Sequence, residues 1–339
     1  MPAISSEIFI AGERVDFTTG SLNKQGHNTA SSLTFTIPTG QTNYRKYWNK
    51  EVTFFLDKSD SYPMFRGSII NAEINENVSV TFRAVDALGY LTGRQRASLF
   101  FDGANNIDGL TIGGALFSMV TKAKLNKVGL IYLGDTNPIR KIPPLRGEFF
   151  ILDAIVKQLG EVYNDVDKIP RTNILQVKDD GSKGQLSFAL LKDAEKGNPS
   201  FHYDYSNMLN FEVRNRKIPT IISVEGDSTS FTFHHQSAAA GLGDNFLNVS
   251  NSNLKSRAEC ADFAQKVFNA NITNRYEYTL NTYEGAYLEE NDIVSITDET
   301  TGIEGQFRIV GKSISFGNNT YSLSLTINKQ PPLLASFLA

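Results

Sequence analysis

The sequence predicts a mainly β (α+β) protein with two antiparallel β-barrels, a few packed helices and a smaller middle domain. Apolar and polar residues alternate along 321–327, the two-residue period of a half-buried strand. Thr301-Gly302 and Gly317-Asn318 interrupt the pattern with residues that tolerate positive φ, so 291–327 is predicted to form three antiparallel strands. The 23 Phe and 13 Tyr residues also favour strands.

The same pattern occurs earlier in the chain. Val52 to Asp57 matches 294–299, and Phe65-Arg66-Gly67-Ser68-Ile69 matches 307–311, both at an offset of 242 residues without a gap. The next stretch, 78–82, resembles 321–325 with the offset slipping by one. Two unrelated meanders could share this pattern, but the matched blocks favour an internal duplication of a small β-barrel.

Composition bounds the class of protein. A chain of 339 residues that is 40% hydrophobic and 20% charged is expected to form two or three globular domains. The net charge of −3 does not indicate a surface for nucleic-acid backbones. The first residues lack a basic region followed by an apolar run, and no segment approaches the roughly 18 apolar residues of a membrane span. We therefore expect synthesis in a cytoplasm, no export by a standard signal and no membrane insertion.

The first predicted domain, 1–100, is a β-barrel. Residues 8–18 are typical of a tight hairpin, and 32–37 alternate until Pro38 ends the strand. The repeat strands follow at 51–57, 64–75 and 77–86.

The predicted middle region, 101–220, contains helices. Apolar residues recur at a helical period in 108–125 and in 149–162. Short strands are predicted at 128–133, 173–177, 185–190, 201–205 and 209–214.

The second predicted barrel, 221–330, includes strands at 220–224, 230–234 and 275–280 and a small-residue loop at 237–243. Ser256 and Glu259 have the spacing of a capping box, so a helix is predicted over 257–269. The single cysteine, Cys260, lies on this helix and is expected to act as a small buried hydrophobe. An apolar tail, 331–339, ends the chain.

The sequence offers little for catalysis or cofactor binding. The adjacent His234 and His235 would point to opposite faces of a strand, so no metal site is predicted. No Gly-x-Ser-x-Gly motif is present. Adjacent acids such as Glu289-Glu290 are more typical of solvated turns than of a glycosidase carboxylate pair. No enzyme activity and no cofactor are predicted.

Two apolar segments are candidate interfaces. The first contains Tyr44, Tyr47 and Trp48 among basic residues. A partner-facing or barrel-capping role and a place in the core are both open, and both are favoured over stacking on nucleic-acid bases. The second is the tail, which either folds back on its own domain or docks into a neighbouring protein. Its candidate interface residues are Leu333, Leu334, Phe337 and Leu338.

The layout resembles the baseplate hub proteins of tailed phages. The opening strands, then 52–56, Phe65-Arg66-Gly67-Ser68-Ile69 and 78–86 resemble the first tube-like barrel of that family. Residues 276–296, Phe307-Arg308-Ile309 and 323–327 resemble its late barrel. Asn291-Asp292 stands where the family usually has Gly-Asp, and asparagine also accommodates a left-handed turn. The middle, 140–230, matches only in order and length.

The resemblance implies a homotrimer of chains that each carry two tail-tube-like barrels. Three such chains would present a pseudo-sixfold ring between the hexameric tail tube and the threefold spike or fibre apparatus. Its expected partners are the tail tube protein and spike, tail-tip or baseplate proteins, and its location is the virion tail. Genome DNA would pass through without specific binding, which a mildly acidic chain suits.

Two other classes of function remain open. The chain could be another tail-tip or distal-tail ring component, or the spike base of a contractile injection or type VI-like machine. It could also be a cell-wall hydrolase or a carbohydrate-binding β-protein that uses Glu289, Glu290 and Asp292.

Overall fold

The computed structural model of the chain describes residues 5–24, 29–38, 44–56, 63–75, 78–92, 94–96, 121, 130–132, 148–150, 162–163, 170–171, 173–179, 184–190, 197–250, 254–273, 276–317 and 320–328. Within these ranges strands predominate, so the prediction of a mainly β fold is confirmed.

The strands of the first part are β1 (Ser6–Ile10), β2 (Glu13–Val15), β3 (Thr19–Lys24), β4 (Ser32–Pro38), β5 (Glu51–Leu56), β6 (Phe65–Asn75), β7 (Ser79–Val85) and β8 (Arg94–Arg96). The middle has β9 (Leu130–Tyr132), β10 (Glu148–Phe150), β11 (Val162–Tyr163), β12 (Pro170–Arg171), β13 (Asn173–Asp179), β14 (Gly184–Leu190), β15 (Phe201–Tyr203) and β16 (Met208–Asn215). The last strands are β17 (Ile221–Glu225), β18 (Ser230–His234), β19 (Phe246–Ser250), β20 (Tyr276–Thr282), β21 (Ile293–Asp298), β22 (Ile303–Gly317) and β23 (Tyr321–Asn328). Among the described residues, helices with defined bounds are α1 (Gln236–Leu242) and α2 (Arg257–Thr273), and 3₁₀ turns lie at Tyr44–Tyr47 and Ala87–Thr92.

One large sheet connects the two ends of the chain. Eleven of its thirteen strands follow the order β16-β20-β23-β22-β3-β4-β7-β6-β5-β1-β2, while β21 pairs with β22 and β15 pairs with β21. Strands β15 and β16, from the end of the predicted middle region, belong to this sheet.

The large sheet consists of two units with the same strand order. The first unit, β1 to β7, contains the path β3-β4-β7-β6-β5, and the second unit, β15, β16 and β20 to β23, contains the path β16-β20-β23-β22-β21. The long strand of each unit carries one extra residue where the register shifts, Ile70 in β6 and Val310 in β22. Such bulges bend a strand and increase its twist, so both long strands curve at equivalent points.

The ladders correct one detail of the predicted repeat. Val52 pairs with Gly67 across β5 and β6, and Val294 pairs with Phe307 across β21 and β22. The first strands therefore match at 242 residues, but Gly67 matches Phe307 at an offset of 240. The gapless offset predicted for both blocks is therefore wrong. The alternation of apolar and polar residues could not reveal the difference, because a shift of two residues leaves every side chain on the same face of the sheet.

The two units share one hydrophobic core. A single cluster of buried side chains contains Phe35 and Phe82 from the first unit and Phe307 and Leu325 from the second. The alternation that predicted these strands accounts for the cluster, since alternate residues of β4 and β23 are buried.

Strands β17, β18 and β19 form a separate three-stranded sheet, and α2 packs on it as a second layer. The predicted capping box is present: Glu259 donates its backbone N–H to Ser256 Oγ at 3.2 Å, and Ser256 donates its own to Glu259 Oε2 at 3.1 Å. Cys260 is fully buried in this layer, as predicted.

The predicted loop at 237–243 is wrong, because most of it belongs to α1. His235 caps this helix by accepting the backbone N–H of Ala238 at Nδ1, and Gly243 ends it with φ 78°. Three consecutive alanines then favour the helix over a loop.

Two predicted helices lie largely outside the described residues. That applies to 108–125 except Thr121, which is helical, and to 151–161. The ends predicted for the second helix, 149–150 and 162, belong to β10 and β11 instead.

Candidate assembly interface

The two units meet along one ladder, which we call the join. Residues 312–317 of β22 pair antiparallel with 19–24 of β3, and Ile314 lies opposite Leu22. Both side chains are fully buried. The join therefore completes the edge of each unit with a strand from the other.

An aromatic contact fixes the end of the join. The ring of Phe316 stacks on Phe54 at 4.1 Å between centroids and meets Phe17 edge-on at 5.4 Å. Directly opposite is Gly20, where an added Cβ would lie 2.3 Å from the Phe316 ring. Glycine at this position makes room for the ring.

A charge cluster closes the other end of the join. Lys24 and Lys312 are opposite each other, and Glu289, from the segment before β21, accepts a hydrogen bond from each, Oε2 from Lys24 at 2.7 Å and Oε1 from Lys312 at 3.0 Å. Lys312 also donates to the backbone carbonyls of Ala286 and Leu288 at 3.1 and 2.5 Å. The Lys312 side chain is completely buried, whereas that of Glu289 is 50% exposed.

The cluster shifts the pKa values of its members. Burial lowers the pKa of Lys312 to about 8 against the attraction of Glu289. Desolvation would raise the pKa of Glu289, but Lys24 and Lys312 together hold it at about 2. The pKa of Lys24 is raised, because the pull of Glu289 exceeds the effect of burial. At neutral pH two lysines and one carboxylate are therefore all charged.

Sequence reasoning missed this cluster, although one signal was present. Lys312 shares a strand face with Ile314 and Phe316, which are buried, and Lys24 shares one with Leu22. A lysine at an inward position of an alternating strand predicts a buried partner for its charge. The Glu289-Glu290 pair was interpreted as a solvated turn or, in the alternative, as part of a hydrolase site.

The turn that follows β7 depends on a buried acid. Asp86 accepts backbone N–H groups from Ser31 at 2.9 Å and from Leu88 at 3.0 Å. Burial raises the pKa of its carboxyl against these hydrogen bonds. Asp86 thus ties the start of β4 to the 3₁₀ turn at Ala87–Thr92.

The turn before β21 follows the left-handed geometry that its sequence predicts. Asn291 has φ 73°, and its backbone N–H donates to Ile309 O at 2.9 Å. Asp292 accepts the backbone N–H of Glu289 at 2.9 Å. These bonds position Glu289 beside the join.

The structure separates the three aromatic residues predicted as an interface. Tyr47 is buried and meets Phe82 edge-on at 5.9 Å, and Tyr44 is partly buried against the same core. Trp48 is 48% exposed. Of the three, only Trp48 presents a large exposed surface. The other candidate residues, Leu333, Leu334, Phe337 and Leu338, lie outside the described residues.

The described part of the chain contains no group of three or more His, Cys, Asp or Glu side chains arranged to hold a metal. None of the helices described is both long and apolar enough to cross a membrane.

The fold is one found in phage tail proteins. The tail protein from Neisseria meningitidis MC58 superposes with a TM-score of 0.64 at 12% identity, over 96% of each chain. The 43 kDa tail protein of prophage MuSo2 from Shewanella oneidensis superposes with a TM-score of 0.60 at 12% identity, over 98% of this chain and 99% of that one.

The fold also occurs outside phages. An E. coli component of the type VI secretion system, similar in structure to the T4 tail proteins gp27 and gp5, gives a TM-score of 0.53 at 10% identity, over 98% of this chain and 78% of its own. No family model and no curated protein matches the sequence.

Proposed function

We propose that this protein is the structural hub of a phage tail baseplate. In this proposal three chains form a pseudo-sixfold ring that joins the hexameric tail tube to the threefold spike or fibre apparatus and surrounds the path of the ejected DNA. The likeness to two phage tail proteins along nearly the whole chain supports a structural role in the tail.

The observation that carries the proposal is the common strand order of the two units. A chain with two like units, present in three copies, offers six similar surfaces around one axis to a sixfold tube and a threefold surface to a spike. The two units are the proposed tail-tube-like barrels, although their strands are continuous through the join. The net charge of −3 suits a channel that DNA crosses without binding.

The charge cluster argues against the hydrolase alternative. A carboxyl with a pKa near 2 does not donate a proton at neutral pH, so Glu289 is unsuited to be a general acid. Two lysines and the backbone hydrogen bonds around it give Glu289 a structural task instead.

The likeness to a type VI secretion component supports a second candidate, the spike base of a related injection machine. Both candidates are structural, and both predict three copies. They differ in the partner: a phage tail tube or a secretion tube.

The test is the stoichiometry and the position of the full-length protein in an assembled tail. We expect native mass spectrometry of the purified chain to give a trimer, and cryo-electron microscopy of the chain co-expressed with the tube and spike proteins of the same tail to place it between them. A monomer in the particle contradicts the proposal. A sixfold ring of this chain alone would instead favour a distal-tail ring component.

A further inference from the structure

Both units have an edge strand with exposed apolar residues. On β6, Ile70 and Ile74 are 44% and 46% exposed; on β16, Leu209 and Val213 are 55% and 39% exposed. Among the described strands, β16 ends the sheet, and β6 pairs with β5 only through its first residues, 65–68. Residues 70–75 and 208–215 are therefore open apolar edges, which proteins usually cover.

These two edges are the equivalents of the two strands that form the join. The ladders match the apolar row Leu22–Leu33–Ala84–Ile69 of the first unit with the row Val213–Tyr278–Ile327–Ile309 of the second. Val213 is thus the counterpart of Leu22. Ile69 and Ile309 each come directly before the bulge of their strand. Ile74 lies five residues after Ile69, and Ile314 lies five residues after Ile309, so these two residues are also counterparts.

The residues of the join and their counterparts on the two edge strands differ in burial. In the join, Ile314 lies opposite Leu22 and both side chains are fully buried. Their counterparts are both exposed: Val213 lies on β16, which ends the sheet path, and Ile74 lies on the part of β6 beyond its ladder with β5. Within the described residues, β3 and β22 thus cover each other in the join, whereas their counterparts β16 and the second part of β6 have a strand on one side only.

We propose that residues 70–75 of β6 in one copy of the chain pair antiparallel with β16 of the next copy, in the register of the join. Ile74 then lies opposite Val213 of the neighbouring copy, as Ile314 lies opposite Leu22. The adjacent pair of the join, Ser313 and Asn23, becomes Glu73 and Arg214, which are exposed and of opposite charge. Apolar and charged positions both match in this register, and a slip by one residue would lose both matches.

This inference rests on the proposed ring and names the strands through which neighbouring chains in it would pair. The interface between chains would then repeat the join within each chain. Each copy would contribute its β6 edge to one neighbour and its β16 edge to the other. The occupant of each open edge is a second copy of this chain, because the partner edge is on the chain itself.

The test uses engineered cysteines in the full-length protein, whose only native cysteine, Cys260, is buried. We expect the Ile74→Cys/Val213→Cys double variant, once oxidised, to run as a covalent trimer on a non-reducing gel. Neither single variant should do so. The Ile74→Cys/Arg214→Cys variant is the matched control, because position 214 points to the other face of β16.

A charge exchange gives a second readout that does not depend on disulfide geometry. Glu73→Arg or Arg214→Glu alone should weaken self-association about fivefold by placing like charges opposite each other. The Glu73→Arg/Arg214→Glu double variant should restore it. Both positions are exposed, but Arg214 also pairs with Glu212 and lies opposite Glu277 within its own chain, so the melting temperature of each variant is measured alongside its self-association.

The outcomes separate this inference from the proposed function. A trimer in native mass spectrometry with no Ile74→Cys/Val213→Cys bond, or with the bond in the control variant, overturns the proposed edge pairing and leaves the hub proposal standing. A chain that stays monomeric even in the assembled particle overturns both.

Discussion

Lys24 and Lys312 lie directly opposite each other across the join, and the carboxylate of Glu289 binds both. Two like charges at such a position repel each other, and one of these is completely buried. The shared carboxylate makes the pairing of the two units compatible with their charges.

Glu289→Gln tests this relationship. A neutral amide removes the carboxylate that is hydrogen-bonded to both lysines, so we expect the free energy of unfolding to fall by about 1–3 kcal/mol. The loss is kept this small because Glu289 is half exposed and solvent screens its charge. Denaturant unfolding measures the change. Glu299→Gln, at an exposed turn position, is the control and should stay within about 0.5 kcal/mol. Equal effects of the two variants would remove the special role of Glu289.

The same carboxylate predicts a dependence of stability on pH. Its pKa is about 2 in the folded chain against 4.5 for an ordinary glutamate, so its contribution to stability is complete above about pH 4.5 and is lost as the pH falls towards 2. We expect the melting temperature of the native chain to drop more steeply below pH 4.5 than that of Glu289→Gln. Parallel curves for the two proteins would contradict this assignment.

Gly20→Ala tests the aromatic contact of the join. The added methyl group would lie 2.3 Å from the Phe316 ring, which Phe54 and Phe17 hold in place, so we expect a loss of about 1–3 kcal/mol. Gly241→Ala in α1 is the matched control, because an added Cβ there meets nothing within 4 Å. The control should be neutral or slightly stabilising. Equal stability changes in the two variants would show that the Phe316 ring does not need the space left by Gly20.

Asp86→Ala removes the acceptor of two backbone N–H groups, those of Ser31 and Leu88. We expect a loss of about 1–3 kcal/mol in chemical denaturation. Asp86→Asn keeps one carbonyl oxygen and should lose less. An alanine variant as stable as the native protein would mean that water replaces the carboxylate at no cost.

Trp48→Ala and Tyr47→Ala separate an interface role from a core role. Trp48 is about half exposed, so its removal should change stability by less than about 1 kcal/mol while reducing co-assembly with tail proteins in a pull-down. Tyr47 is buried against Phe82, so its removal should cost about 2–4 kcal/mol. Normal co-assembly by Trp48→Ala would exclude that residue as an interface.

Local patterns in the sequence predicted local structure well. The alternation in 321–327, the capping box at Ser256 and the left-handed Asn291 each depend on residues close together in the chain, and each is present. The α1 helix was missed because small residues are compatible with both a loop and a helix, and the cap at His235 decided the outcome.

Long-range pairing could not be predicted in the same way. Alternation shows which face of β3 and β22 is buried, but it does not identify their partner strands. The join, the shared core and the Lys24–Glu289–Lys312 cluster all follow from that one unforeseen pairing. The exposure of Trp48 and the burial of Tyr47 likewise depend on the position of the 3₁₀ turn in the assembled fold.

The join also sets the order in which the chain can be completed. Ser6 hydrogen-bonds to Gly317 across 311 residues, at the end of a ladder whose two strands come from opposite ends of the sequence. Contacts between such distant residues close large loops and form slowly. On the ribosome, β3 therefore waits for nearly the whole chain before its partner β22 emerges, and the first unit is finished only after synthesis of the second.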